Sequence, residues 1–229
     1  MLSPLRTLRS IVLFLCFFPE YSQAQKPFAF ADISAAANGE SSWQFSLSAS
    51  RVHPVALQKR FSIGYGLRFS SFSGQTLNYI SAPPALAADQ TKQAQWRIED
   101  PLVHFLNAEI HLHGQLSNRW EAGFNIDALG FGWGPARTGA LFIDGQPQVE
   151  RGSPTRPNVL LIGNNDIGSL NANGYIGYRI AQKWAVLGSY SHIYTEYTLD
   201  RAVPENFDND RFRNKSWLIR LALRYHLSR

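Results

Sequence analysis

From Trp217 to Leu227 the odd positions are Trp217, Ile219, Leu221, Leu223, Tyr225 and Leu227, and the even ones between them are Leu218, Arg220, Ala222, Arg224 and His226. Successive side chains of a β-strand point to opposite faces, so this pattern predicts a strand with one apolar, aromatic face and one mostly basic or small face. The pattern recurs along the chain. Phe61, Ile63, Tyr65, Leu67 and Phe69 alternate with Ser62, Gly64, Gly66, Arg68 and Ser70. Leu106, Ala108, Ile110 and Leu112 alternate with Asn107, Glu109, His111 and His113, and Trp120, Ala122, Phe124, Ile126 and Ala128 with Glu121, Gly123, Asn125 and Asp127. Leu170, Ala172, Gly174, Ile176 and Tyr178 oppose Asn171, Asn173, Tyr175, Gly177 and Arg179, while Trp43, Phe45, Leu47 and Ala49 oppose Gln44 and a run of serines. In the stretch 183–199 Trp184, Val186, Gly188 and Tyr190 favour one face and Leu187, Ile193 and Leu199 the other; Trp184 is placed on the apolar outer face.

A half-buried strand of a soluble sandwich also alternates, and its polar face looks at bulk water. Here the polar face carries Gly, Ser, Asn, His and single charges of both signs, which suits the inside of a narrow barrel better than a solvated surface. The apolar face runs for about ten residues per strand, the length that a tilted strand needs to cross the hydrocarbon layer of a bilayer. Trp217 and Tyr225 lie eight steps apart, roughly 26 Å at ~3.3 Å per residue and about 20 Å after tilt, so they fit the two aromatic girdles of such a barrel. Trp43, Trp120 and Trp184 are the other aromatics expected at the membrane interfaces, the last two directly after tight turns.

The expected spans are 27–37, 42–52, 60–72, 101–116, 119–132, 166–180, 183–199 and 215–228. Together they make an eight-stranded antiparallel up-and-down transmembrane β-barrel, with 27–37 the weakest member. Tight connections at Leu116–Arg119 and Ala181–Lys183 and a moderate one near His53–Lys59 lie at one end. Long loops at Ser73–Asp100, Gly134–Asn164 and Asp200–Asn214 lie at the other, which is the arrangement with short turns in the periplasm.

The N-terminus adds a destination. Arg6 and Arg9, the apolar run Ile11–Phe18 and Ser22-Gln23-Ala24 form a secretory signal over residues 1–24, leaving 25–229 as one barrel domain. Cys16, the only cysteine, falls in that signal, so the exported chain has no disulfide and no thiolate chemistry. Its net charge falls from +5 to +4 with the loss of Arg6, Arg9 and Glu20, and the excess is not gathered into a basic stripe, which argues against nucleic acid as a partner.

With its signal, its alternation, its Trp120 and Trp184 turns and a last strand ending Leu223-Arg224-Tyr225-His226-Leu227, the chain resembles the small outer-membrane β-barrels of the OmpA/OmpX-like kind over nearly all of its mature length. Many of that family end on an aromatic residue read by the assembly machinery. This chain ends Leu227-Ser228-Arg229, which leaves Tyr225 to serve instead. The resemblance implies an outer-membrane location, membrane lipid around the wall and an extracellular partner reached through the long loops. The family also includes barrels that deacylate or acylate lipid A.

Eight strands enclose a lumen filled by side chains or holding one small ligand, which excludes a wide diffusion pore. Parity directs Arg68, Glu109, His111, His113, Glu121, Asp127, Arg179, Arg220 and Arg224 inward, where charges must pair and hydrogen-bond, so they are expected to form a polar network that plugs the lumen. Glu109, His111 and His113 have a spacing that lets two imidazoles reach one metal, but no third or fourth ligand stands out, and no metal or cofactor is expected. Ser191, His192 and Glu196 are the residue types of a hydrolase triad, yet parity puts His192 and Glu196 opposite Ser191, and no acyltransferase or deacylase motif is present. The expected function is therefore a structural or surface-interaction barrel. A lipid-modifying barrel enzyme and a soluble exported barrel with an apolar ligand inside are the alternatives, and oligomeric state is not readable.

Overall fold

The computed structural model describes residues 27–228 apart from 40–41, 57–59, 144 and 204–207. The signal segment 1–24, and Cys16 with it, lies outside the described residues. The strands in chain order are β1 (Phe28–Ala37), β2 (Ser42–Ala56), β3 (Phe61–Gly74), β4 (Thr76–Ser81), β5 (Gln95–Glu99), β6 (Leu102–Gln115), β7 (Trp120–Trp133), β8 (Arg137–Ile143), β9 (Gln146–Pro154), β10 (Asn158–Val159), β11 (Leu170–Arg179), β12 (Trp184–Val203) and β13 (Asn209–Ser228).

All pairings are antiparallel, and the sheet closes on itself because β13 pairs with β1, through Tyr225↔Ala31 and Leu223↔Ile33, as well as with β12. The count of eight is corrected: the described sheet has thirteen strands. The wall circuit runs β1–β2–β3–β6–β7–β11–β12–β13 and back to β1. The additional strands β4, β5, β8, β9 and β10 arise inside 73–100 and 134–164, which were expected to be loops, and the segment expected as the loop 200–214 is largely the continuation of β12 and β13.

These additions have a physical cause. β1 and β11 stop lower than β13 and β12, which leaves the upper edges of both long strands without hydrogen-bond partners. β4 takes one edge at Phe212↔Ser81 and Arg213↔Ile80, and β9 takes the other from Tyr197↔Pro154 to Leu199↔Gly152. β4–β5, β5–β8 and β8–β9 complete a second circuit with β12 and β13 above the first. It forms a cap at the end opposite the tight turns.

The cap has its own apolar interior. Trp96 is fully buried with its ring centroid 5.8 Å from Tyr197 and 6.3 Å from both Tyr79 and Phe212. Tyr79 hydrogen-bonds Thr195 Oγ1 at 3.0 Å, and the Tyr197 hydroxyl donates to Leu102 O at 3.1 Å. Gly139 and Gly152 make room for the indole, since a Cβ at Gly139 would lie 2.8 Å from Trp96 Nε1 and one at Gly152 3.1 Å from its Cη2. Phe72, Val103 and Phe105, at the upper ends of β3 and β6, join the same cluster and roof the lumen.

Below that roof the strands keep two faces. Leu67, Ile110, Phe124, Ile176, Ile219 and Leu221 are exposed on the outside, while Arg68, Asn107, Glu109, Glu121, Asp127 and Arg224 are buried inside. The phase-ambiguous strand β12 follows the parity with Trp184 and Val186 exposed and Ala185 and Leu187 buried. One phase needs correction: a bulge between Ala108 and Glu109 opposes Leu129 to Ala108 and Asp127 to Glu109, so above it the outward set of β7 becomes Leu129, Phe131 and Trp133 in place of a series continuing through Ala128.

Candidate functional site

The lumen holds two linked ionic centres. In the first, Arg68 lies 2.5 Å from Asp127 Oδ1 and 3.2 Å from Glu109, and donates to Asn125 Oδ1 at 2.6 Å and to the carbonyl of Asn171 at 2.8 Å. Asp127 also accepts from Asn107 Nδ2 at 2.8 Å and from the Asn171 amide at 2.9 Å. In the second, Arg224 lies between Asp32, at 2.7 Å, and Glu121, at 2.9 Å, with its guanidinium 3.7 Å from the Phe30 ring centroid and 4.8 Å from that of Tyr175. Arg179 reaches Glu121 at 3.6 Å from the lower rim, where it is partly exposed. Arg220 is buried and donates to Gln44 Oε1 at 2.6 Å.

Charges taken out of water are costly unless opposite charges and hydrogen bonds surround them, and every buried carboxylate of these two centres has at least one cation within 4 Å. Three acids are readable by parity; the fourth, Asp32, lies on β1, whose weak alternation assigns no face. The amide partners Gln44, Asn107, Asn125, Asn171 and Asn173 carried no signal beyond their inward parity.

The histidines do not assemble a metal site. His111 Nε2 meets Glu109 at 2.7 Å and Ser50 Oγ at 2.9 Å, whereas His113 Nδ1 pairs with the Tyr175 hydroxyl at 3.0 Å. Among the described residues no three His, Cys, Asp or Glu side chains converge to hold a metal ion. Ser50, His111 and Glu109 have the composition of a catalytic triad, but both the hydroxyl and the carboxylate meet the same ring nitrogen, so the carboxylate cannot orient the imidazole through the opposite one.

Nor do Ser191, His192 and Glu196 meet. Ser191 Oγ pairs with the Asn173 amide inside the barrel, while His192 stacks on Trp217 on the outside with centroids 3.7 Å apart. Glu196 has outward parity yet is fully buried: Arg211 lies 2.8 Å and Arg213 2.7 Å from its oxygens, and the Gly168 amide donates to it at 3.3 Å. Arg211 and Arg213 also donate to the Asp166 carbonyl, so this cluster ties the segment after β10 to the outside of β12 and β13. Sequence parity gave no hint of it, because the covering segment is remote in the chain.

On the outer wall the aromatics form two rows. Trp120 lies 4.9 Å from Tyr178, and Trp184 4.8 Å from Tyr225, at the tight-turn end. Trp217 stacks with Tyr190 at 4.9 Å at the cap end, where Trp43 is also exposed.

No family model matches the chain, and no curated protein matches it. Among solved structures it is similar to Neisserial surface protein A, with a TM-score of 0.40, 8% identity and coverage of 89% of this chain and 99% of that one. It is similar to a de novo designed transmembrane β-barrel, with a TM-score of 0.37, 9% identity and coverage of 90% and 100%. A third is a major outer membrane protein from Thermus thermophilus, with a TM-score of 0.32, 8% identity and coverage of 87% and 99%.

Proposed function

We propose that the chain is an integral outer-membrane β-barrel of the small OmpA/OmpX-like kind, with a wall circuit of eight strands, a structural or surface-interaction role and a lumen closed to diffusion. The observation that carries this reading is the inversion of the molecule below the cap: a belt of exposed Leu, Ile and Phe surrounds an interior of paired charges and amides. Water on the outside would make that belt a large exposed apolar patch, whereas lipid removes the penalty. The two aromatic rows bound the belt as interfacial girdles do. A soluble ligand-binding barrel would carry the apolar residues within, where this lumen carries Arg68 and Arg224. The cap is then the surface presented to an extracellular partner.

The first test is residence in the outer-membrane fraction of expressing cells, with detergent-gel mobility that shifts on boiling; a soluble protein without the shift overturns the reading. Leu221→Arg gives a sharper test. The side chain is 66% exposed near the middle of the belt, and an arginine facing the bilayer midplane costs about 2–4 kcal/mol. Refolding into lipid vesicles should be strongly impaired, whereas a wall facing water would tolerate the change and gain solubility. In planar bilayers the purified barrel should show no open-pore conductance, and steady ohmic conductance would refute the closed lumen.

A further inference from the structure

Arg220 differs from the other buried guanidiniums. Among the described residues Arg68, Arg213 and Arg224 each have a carboxylate within 3.2 Å, but none lies within 4 Å of Arg220. It is 6% exposed, its acceptors are the neutral amide oxygens of Gln44 at 2.6 Å and Asn173 at 3.2 Å, and its Nε–H has no acceptor. Gln44 Nε2 beside it is likewise without one. The nearby acids are engaged elsewhere: Asp32 by Arg224 at 2.7 Å, Asp127 by Arg68 at 2.5 Å, and Glu109 by Arg68 and His111.

Arg220 lines a lumen cavity of about 20 Å³, whose wall also carries the hydroxyl-bearing Ser34, Ser46, Ser48 and Ser189 together with Arg68, Arg224 and the Asp32 carboxylate, the last already paired with Arg224. That volume is enough for one water-sized species. A cation buried with unfilled donors is unfavourable, and charge-assisted hydrogen bonds from guanidinium and hydroxyl groups are what a small anion accepts. We propose that this cavity is a binding site for a single small monovalent anion of the halide class, held by the Arg220 guanidinium and the surrounding serine hydroxyls. The anion neutralises the one buried arginine that the protein's own acids leave unpaired, and so locks β13 to β2 through the lumen.

The test uses the full chain in detergent micelles and in crystals. In sodium bromide the temperature of the boiling-dependent gel shift should rise saturably by several degrees over sodium gluconate at equal ionic strength. Bromide-soaked crystals should give an anomalous peak within hydrogen-bond reach of Arg220. Arg220→Gln should abolish both signals, and Ser189→Ala, which keeps the charge, should raise the half-saturating bromide concentration several-fold. Equal midpoints in bromide and gluconate, no anomalous peak at Arg220 in the unmodified protein, or an unchanged bromide response in Arg220→Gln would each overturn the site. The crystallographic arm needs no variant, so a folding failure of Arg220→Gln does not protect the proposal.

Discussion

Arg224→Met is expected to be among the most destabilising single substitutions in the barrel. It removes the guanidinium that lies 2.7 Å from Asp32 and 2.9 Å from Glu121 and leaves both carboxylates in the lumen, with Glu121 retaining the more distant Arg179 at 3.6 Å and the His226 ring at 3.7 Å. Breaking a buried pair by deleting one partner costs about 3–5 kcal/mol, because the surviving charge loses its nearest counter-ion without regaining full hydration. The midpoint of urea unfolding, followed by gel mobility in detergent, should therefore fall well below that of the parent. Asp32→Asn alone should cost less, since Arg224 keeps Glu121. The triple variant Arg224→Met, Asp32→Asn, Glu121→Gln should recover most of the loss, as it removes the stranded charges along with the cation. A triple variant no better than Arg224→Met would mean that the arginine acts through its stacking on Phe30 and Tyr175 instead of through charge.

The same centre shows how far the sequence reaches. Parity on strands with clean alternation put Arg68, Glu109, Glu121, Asp127 and Arg224 on the inward face, where all are buried, because a strand's two faces are a local property of the backbone. That reading left four cations against three acids. The imbalance is itself a signal for a further acid, and Asp32, alternating with Ala31 and Ile33 on β1, brings the count to four each, although it pairs with Arg224 and leaves Arg220 without a carboxylate. What parity cannot supply is pairing between distant strands: nothing local says that Arg68 chooses Asp127 over Glu121. The cap was illegible for a different reason. β4 and β5 have only 6 and 5 residues, too few for alternation to stand out from a polar loop. They are strands because β12 and β13 outgrow their neighbours and offer free edges, a tertiary cause that no window of sequence contains. Glu196 shows both limits together, with outward parity and no exposure.

If the cap is a unit laid over the wall circuit, Trp96→Ala should unfold one without the other. The indole is fully buried among Tyr79, Tyr197 and Phe212, and truncating a buried Trp costs about 3–5 kcal/mol from lost contact and the cavity left behind. Little can collapse into the space, since Gly139 and Gly152, which face it, have no side chains to move. The wall below rests on different interactions, the Arg68 and Arg224 centres and the ladders from β1 to β13, and the Phe72, Val103 and Phe105 layer lies between the two. Limited proteolysis of the folded variant in detergent should cut within 76–99 and 137–154, where the parent resists, while the boiling-dependent gel shift of the remaining barrel stays near its parental temperature. Loss of the shift at the temperature where the cap becomes cleavable would show that β12 and β13, shared by both circuits, bind them into one cooperative unit. In that case the long strands transmit cap stability into the wall below, and the cap could not be altered without weakening the barrel itself.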